Sequence, residues 1–341
     1  MIVVTGATGF IGSNLIKGLN AQGKTDIIAI DDLTDGRKFQ NLAVSKYYDY
    51  LDYEDFLNRI ITGQSFKRSV EAIFHEGACS VTTEWDGRYM MRNNYEYCKH
   101  LLHYCIKRKI PFIYASSAAV YGGKHEFKES NNHEIPLNIY GYSKWAFDQY
   151  YLQQCSQINS PVVGLRYFNV YGPHEEYKGS MASLAFHFIN QLRETGTIKL
   201  FEGWDGYSNG EQMRDFISVE DVVKVNLWFM ENPKKTGIFN VGTGRAHTFN
   251  ALAKILIQLN GGGKIEYIPF PEKLKGSYQS FTEADITKLR RSGYSNEFLT
   301  LEEGLHRYFK WMHSTLHPQR KLDLLLTPSN NALEIMVEKR T

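Results

Sequence analysis

"TGATGFIG", residues 5–12, spaces Gly6, Gly9 and Gly12 three apart, directly after the apolar run "MIVVTG" and at the head of "FIGSNLIKGLNAQG". The second stretch carries apolar residues at helical spacing and closes on Gly23. A strand that turns this tightly into a helix narrows what the chain can become. Gly6 lets the backbone turn, Gly9 lets it approach a pyrophosphate, and Gly12 lets the helix press against the strand. The helix N-terminus then presents free N–H groups and a positive dipole end to the phosphates. The spacing is G-x-x-G-x-x-G rather than G-x-G-x-x-G, and the strand–turn–helix setting gives it a weight the glycines alone lack. A merely flexible turn is the bland alternative. Nineteen residues past Gly12, at the end of the run "DIIAIDD", stands Asp31. An acid there binds the adenosine ribose and argues for NAD. "DGRKF" follows, and Arg37 and Lys38 are able to reach a 2′-phosphate, so charge leaves NAD and NADP both open.

The same strand–helix alternation continues. "VEAIFHEGA" (70–78), "PFIYASS" (111–117) and "PVVGLRYFNVYG" (161–172) read as buried strands, with helices near 90–107 and 140–155 between them. Near-continuous apolar strands separated by helices predict a parallel sheet covered on both faces, an α/β fold. Past residue 172 the rhythm breaks. "GIFNVGTGR" (237–245) reads as one more strand, 199–216 and 266–281 read as turn-rich, and "LEEGLHRYFKWMH" (301–313) is the last strong helix. The expected division is a dinucleotide-binding domain over 1–172 with returning segments near 215–245, a smaller lobe over 173–313, and a polar tail over 314–341.

Hydrophobic residues make up 43% of the 341 and charged ones 22%, enough for a sizeable core. A net charge of +2, with no basic stripe, argues against nucleic acid. No apolar run approaches the ~20 residues of a membrane span. Cys79, Cys98, Cys105 and Cys155 lack metal-type spacing and read as reduced thiols, so no metal is expected. An N-terminus that is apolar at once lacks a signal peptide's basic lead. The sequence predicts a soluble, cytoplasmic protein.

"NIYGYSKWAFD" puts Tyr140 and Lys144 four residues apart, on one helix face. A tyrosine titrates near ~10, too high for a base at neutral pH, but a nearby ammonium favours the phenolate. "YASSAAVYG" ends a strand with Ser116 and Ser117, at the sheet edge where such folds bind ligands. Tyr-x-x-x-Lys is common by chance, and only the glycine loop and the serines together lift it above that. One more group stands out: "EEYKGSMAS" (175–183) sets Lys178 among small residues. Read alone, it is a solvated loop lysine.

With the glycine loop, the strand-end serine and Tyr-x-x-x-Lys in place, the chain resembles the extended short-chain dehydrogenase/reductases over roughly its first 310 residues. "RDFISVEDVV" (214–223) and "FNVGTG" (239–244) belong to the match. Within that family, "FHEGACS" (74–80), "TTEWDG" (82–87), "RYFNVYGP" (166–173), "KGSMAS" (178–183), "LFEG" (200–203) and "IPFPEKLKG" (268–276) point together to members that epimerise a nucleotide-linked heptose.

The resemblance implies a Rossmann-type doubly wound parallel sheet with a smaller C-terminal α/β substrate-binding lobe. It implies tightly bound NADP, an ADP-heptose inverted at C6 in supply of the lipopolysaccharide core, and a homopentamer. It implies Tyr140 and Lys178 as two bases on opposite sides of one carbon, with Ser117 polarising its oxygen and Lys144 beside the phenol. Lys178 can serve only if its pKa falls well below ~10.4, which Glu175 and Glu176 would oppose if they faced it. It further implies that Gly6, Gly9, Phe10, Ile11, Gly12, Asp31, Asp32, Lys38, Glu76, Gly77, Ala78, Cys79, Ser80, Asn93, Lys144, Val170 and Lys178 line the cofactor. A further cofactor-contacting lysine of the family corresponds to Tyr53, a departure that removes one phosphate contact. The sugar nucleotide would meet Ser117, Asn169, Ser180, His187, Phe201, Glu202, Gly203, Trp204, Arg214 and Tyr278. Arg214 suits a diphosphate, though an ion pair with Asp215 is the plain alternative; His187, in a helical pattern, reads equally as a core or surface histidine. The stretch 204–213 is longer than the family pattern.

Three rivals remain. A 4-epimerase of the same family, acting on another nucleotide sugar, is the nearest. A 4,6-dehydratase needs a carboxylate pair after the serine, where this chain has "AAV". A non-catalytic cofactor sensor on the same fold typically loses the tyrosine.

Overall fold

Ile2–Thr5 contains four β-branched residues in a row, all buried, as a strand covered on both faces requires. The computed structural model describes residues 1–314 apart from 124, 125, 273, 274, 276 and 277. The tail beyond 314 lies outside the described residues.

Twelve strands are present among them: β1 (Ile2–Thr5), β2 (Ile27–Asp31), β3 (Asp49–Asp52), β4 (Ala72–His75), β5 (Phe112–Ser117), β6 (Val162–Tyr167), β7 (Asn169–Tyr171), β8 (Thr197–Phe201), β9 (Met213–Ser218), β10 (Gly237–Val241), β11 (Ala246–Thr248) and β12 (Lys264–Ile268). The helices are α1 (Phe10–Ala21), α2 (Tyr53–Ile61), α3 (Gly87–Met91), α4 (Tyr97–Arg108), α5 (Ile139–Gln154), α6 (Leu184–Thr195), α7 (Val219–Glu231), α8 (Phe249–Leu259), α9 (Thr287–Arg291) and α10 (Leu301–His313). A π-helical turn, Arg92–Glu96, joins α3 to α4.

Seven strands form one parallel sheet in the order β10-β6-β5-β4-β1-β2-β3. Side chains alternate across it. Ile2 and Val4 enter a core with Leu15, Leu19 and Val222 from α1 and α7, while Val3 enters another with Phe56, Leu101 and Phe147 from α2, α4 and α5. This is the doubly wound arrangement. From β1 the chain winds outward through β2 and β3, then crosses back to β4 and winds the other way. Such a reversal leaves a crevice at the carboxyl ends of β1 and β4.

The remaining strands are smaller work. β11-β9-β7 form one sheet and β12-β8 a parallel pair. With α6, α8 and α10 they enclose a third core around Phe186, Leu200, Leu252 and Leu305.

Several boundaries differ from the sequence reading. The run 161–172 is two strands in two sheets: the chain leaves the main sheet at Phe168, whose N–H donates to the Val241 carbonyl (3.0 Å). The run 70–78 pairs only to His75, and Glu76 onward is loop. β3 and α2 were not foreseen, although Asp52 caps α2 by accepting the Glu54 N–H (2.8 Å) and Phe56 and Ile60 bury its apolar face. The "turn-rich" stretches hold the end of β8, the start of β9 and the end of β12, and α7 follows a Ser218 cap. All four cysteines are free thiols. Among the described residues no helix is long and apolar enough to cross a membrane.

Candidate active site

The glycine loop is built for close approach. Gly6 adopts φ +66°, and a Cβ on Gly12 would sit 2.1 Å from the Gly6 carbonyl oxygen, so no side chain is tolerated there. Gly9 caps α1 with no side-chain acceptor, and no acid occupies the first turn. The leading N–H groups of a three-turn helix therefore keep their positive end for an incoming anion. Thr8 N–H donates to Asp31 (2.7 Å), tying the loop to the end of β2.

Two adjoining cavities run along this edge. One, of ≈ 300 Å³, is lined by Gly6, Gly9, Phe10, Ile11, Gly12, Glu76, Ser80, Ser117, Tyr140, Lys144, Val170 and Lys178, among others. The second, of ≈ 170 Å³, adds Asp32, Tyr53, Cys79 and Asn93 and shares Asp31, Lys38, Gly77 and Ala78 with the first. Every residue expected at the cofactor thus lines one continuous groove. A glycine cradle, a bare helix N-terminus and a buried lysine at the far end fit a nicotinamide dinucleotide.

At that far end α5 carries Tyr140, Lys144 and Asp148 at successive turns of one face. Asp148 is fully buried and accepts from Tyr114 Oη, Ser116 Oγ and Arg166 Nε, each at 2.9 Å. Arg166 also donates to Glu134 (2.7 Å). This network clamps the helix onto β5 and β6. It also separates the two serines: Ser116 is committed to Asp148, whereas Ser117 Oγ accepts the Ala119 N–H (3.1 Å) and keeps its own hydrogen to donate. Lys144 is buried and donates to the Ala115 carbonyl (2.8 Å).

Lys178 arrives from elsewhere, on the short 3₁₀ segment Glu176–Met181. Its Nζ lies 5.3 Å from the centre of the Phe10 ring, the first residue of α1. Surrounding protein strips its water, and desolvation pushes its pKa below the ordinary lysine value. Glu175 does face it and opposes that shift, but more weakly. Glu175 is itself held in place: its carboxylate accepts from the Gly172 N–H (3.1 Å), the Ser183 N–H and Ser183 Oγ (2.8 Å).

A third cavity, of ≈ 370 Å³, opens beyond. Tyr140, Lys178, Ser80, Phe168 and Val170 line both it and the groove, so they form the shared wall. Asn169, Ser180, His187, Phe201, Arg214 and Tyr278 line its remainder. Glu202, Gly203 and Trp204 do not; Trp204 stacks on Phe270 (5.4 Å) outside it. Arg214 is buried with no carboxylate partner among the described residues. It donates to the Met213 carbonyl (2.9 Å) and bonds Tyr278. The alternative Arg214–Asp215 ion pair is absent: Asp215 accepts instead from Thr243, Gly244 and Ala284. A buried, unpaired guanidinium is a ready anion site. His187 turns into the cavity with Nε2 unpartnered, and burial pushes its pKa down.

Two residues escaped the sequence reading. Asn94, in the π-helical turn, accepts the Cys79 N–H and donates to the Cys79 carbonyl (both 2.9 Å), and donates to Ser143 Oγ (3.1 Å). It fastens the groove loop to α5. Tyr167 donates to Glu76 (2.9 Å), whose carboxyl burial pushes up to about 7. The π turn was the missing signal for Asn94, and periodicity does not reveal one.

The sheet and its glycine cradle define a dinucleotide-binding protein of the doubly wound class. The chain belongs to the NAD dependent epimerase/dehydratase family, whose model matches residues 2–242. It is 57% identical over 308 residues to an ADP-L-glycero-D-manno-heptose-6-epimerase of Alkalilimnicola ehrlichii, covering 90% of this chain and 96% of that one. The crystal structure of the Helicobacter pylori ADP-L-glycero-D-manno-heptose-6-epimerase is similar with a TM-score of 0.80 at 32% identity, over 92% of this chain and 96% of that one. A UDP-glucose 4-epimerase of Thermotoga maritima, solved with UDP-glucose, gives 0.75 at 29% identity over 92% and 99%.

Proposed function

We propose that this protein is an isomerase that interconverts the D-glycero and L-glycero forms of ADP-manno-heptose at C6. One observation carries the reading: Tyr140 and Lys178, from unconnected elements, line the single wall between the dinucleotide groove and the sugar cavity. The likeness to heptose epimerases over nine-tenths of the chain supports the choice of sugar.

A nicotinamide dinucleotide held in the groove supplies a reversible hydride acceptor, so the reaction ends with no net oxidation. The protein's part is positioning and proton transfer. Arg214 pairs with the diphosphate of the substrate, and the heptose side chain reaches the shared wall. There one group, Tyr140 or Lys178, takes the C6 hydroxyl proton as the alcohol becomes a ketone. Ser117 Oγ hydrogen-bonds to the same oxygen and polarises it, keeping its own proton throughout. After the ketone turns in the cavity, the opposite group returns a proton as the alcohol re-forms with inverted configuration. Lys178 can accept a proton because desolvation favours its neutral form.

The test is to incubate purified protein with either ADP-heptose epimer, adding no cofactor, and follow the C6 signals by NMR. Interconversion from both sides is expected. Activity on UDP-sugars with none on ADP-heptose would overturn the substrate.

A further inference from the structure

At the adenosine end of the groove, among the described residues, the wall carboxylates belong to Asp31 and Asp32 and the lining cation to Lys38. Lys38 is already spent: its Nζ donates to Asp31 (2.9 Å). Arg37, the second cation in reach by sequence, is held by Asp35 through Nε (2.8 Å) and a terminal nitrogen (2.7 Å). Arg92 is exposed on its helix and outside the lining residues, where its charge reaches Tyr53 and Tyr89 only weakly, as the last and smallest influence on each. Where the fold could place another cation there is Tyr53, the first residue of α2, whose hydroxyl donates to Glu54 (3.1 Å). Asp32 is bonded by the Thr34 N–H (2.6 Å) and hydroxyl. Those bonds hold its carboxyl below the usual range, so it is ionised at neutral pH.

This wall therefore carries two negative charges against one positive. A ribose 2′-hydroxyl has a hydrogen to give a carboxylate. A 2′-phosphate has none and brings about −1.5 to −2 of its own charge. We infer that this chain selects NAD over NADP, with Asp32 and Tyr53 as the discriminating residues. The inference rests on reading the groove as a dinucleotide site.

The protein as isolated is denatured and the released dinucleotide identified by mass. In parallel, it is equilibrated with equimolar NAD and NADP, separated from free ligand, and its bound fraction measured the same way. NAD is expected in the first measurement. In the second it is expected to dominate by about tenfold or more, a ratio that narrows as salt screens the carboxylates. Asp32→Asn combined with Tyr53→Lys should move the ratio toward NADP by a further tenfold or so. Release of NADP, or an even or NADP-rich bound fraction, overturns the selectivity while leaving the groove a dinucleotide site. Neither dinucleotide being released or bound overturns both.

Discussion

Tyr140 and Lys178 reach the same wall by opposite means. The phenol stands on a sixteen-residue helix clamped to the sheet by Asp148, Arg166 and Glu134, all buried. The amine stands on a short 3₁₀ segment, tethered by Glu175 to the loop ends at Gly172 and Ser183 and by Tyr177 Oη to Gln40 (2.8 Å). One side is fixed by buried charge in the core of the domain, the other by a few hydrogen bonds at a loop. A helix clamped through buried charge should fail by unfolding when its anchor is lost. A tethered loop should fail by losing activity while the fold survives.

The largest expected effects strike both sides equally. Tyr140→Phe and Lys178→Met should each lower kcat by on the order of 10²–10⁴-fold with little change in thermal stability. If only one did so, the comparison would lose its symmetry. Asp148→Ala should cost about 3–5 kcal/mol of stability, because it leaves Arg166 partly unpaired in the core, measurable by urea denaturation. Glu175→Gln should split the other way: kcat down by roughly tenfold, stability nearly kept. Because Glu175 raises the pKa of Lys178, its removal should also move the acid limb of the rate profile to lower pH. An unmoved limb would separate the loop from the chemistry.

The smallest effect concerns Glu76, which lines the groove. Its folded pKa of about 7 lies above the unfolded value of 4.5, so the fold prefers the neutral acid. The stability this gives is fully present below the unfolded value and is lost as pH rises through about 7. Glu76→Gln should thus gain on wild type between pH 4 and pH 8, by on the order of 1–2 kcal/mol in paired melts.

The dinucleotide half was legible because each feature is local. Gly6 to Gly12 declare a turn, the apolar runs declare a covered sheet, and Tyr140 with Lys144 share a helix face. The sugar cavity was not legible in that way. Its wall gathers Asn169, Ser180, His187, Arg214 and Tyr278 from five separate stretches, and no spacing rule joins them; the family resemblance did. Even that brought Glu202, Gly203 and Trp204 along with Phe201, and only Phe201 turns inward, since β8 ends there and the chain leaves the cavity. The state of Lys178 needed the fold most of all. Sequence shows Glu175 three residues away, but not that burial strips the water from Lys178 and outweighs it.

The most direct test of two flanking groups is a crystal structure of the protein with an unreactive ADP-heptose analogue in place. The expected result puts Tyr140 Oη and Lys178 Nζ on opposite faces of C6, each within about 3–3.5 Å of the hydroxyl position it serves. An ammonium of Lys178 turned out to bulk water, with C6 served from the tyrosine side alone, would contradict the account.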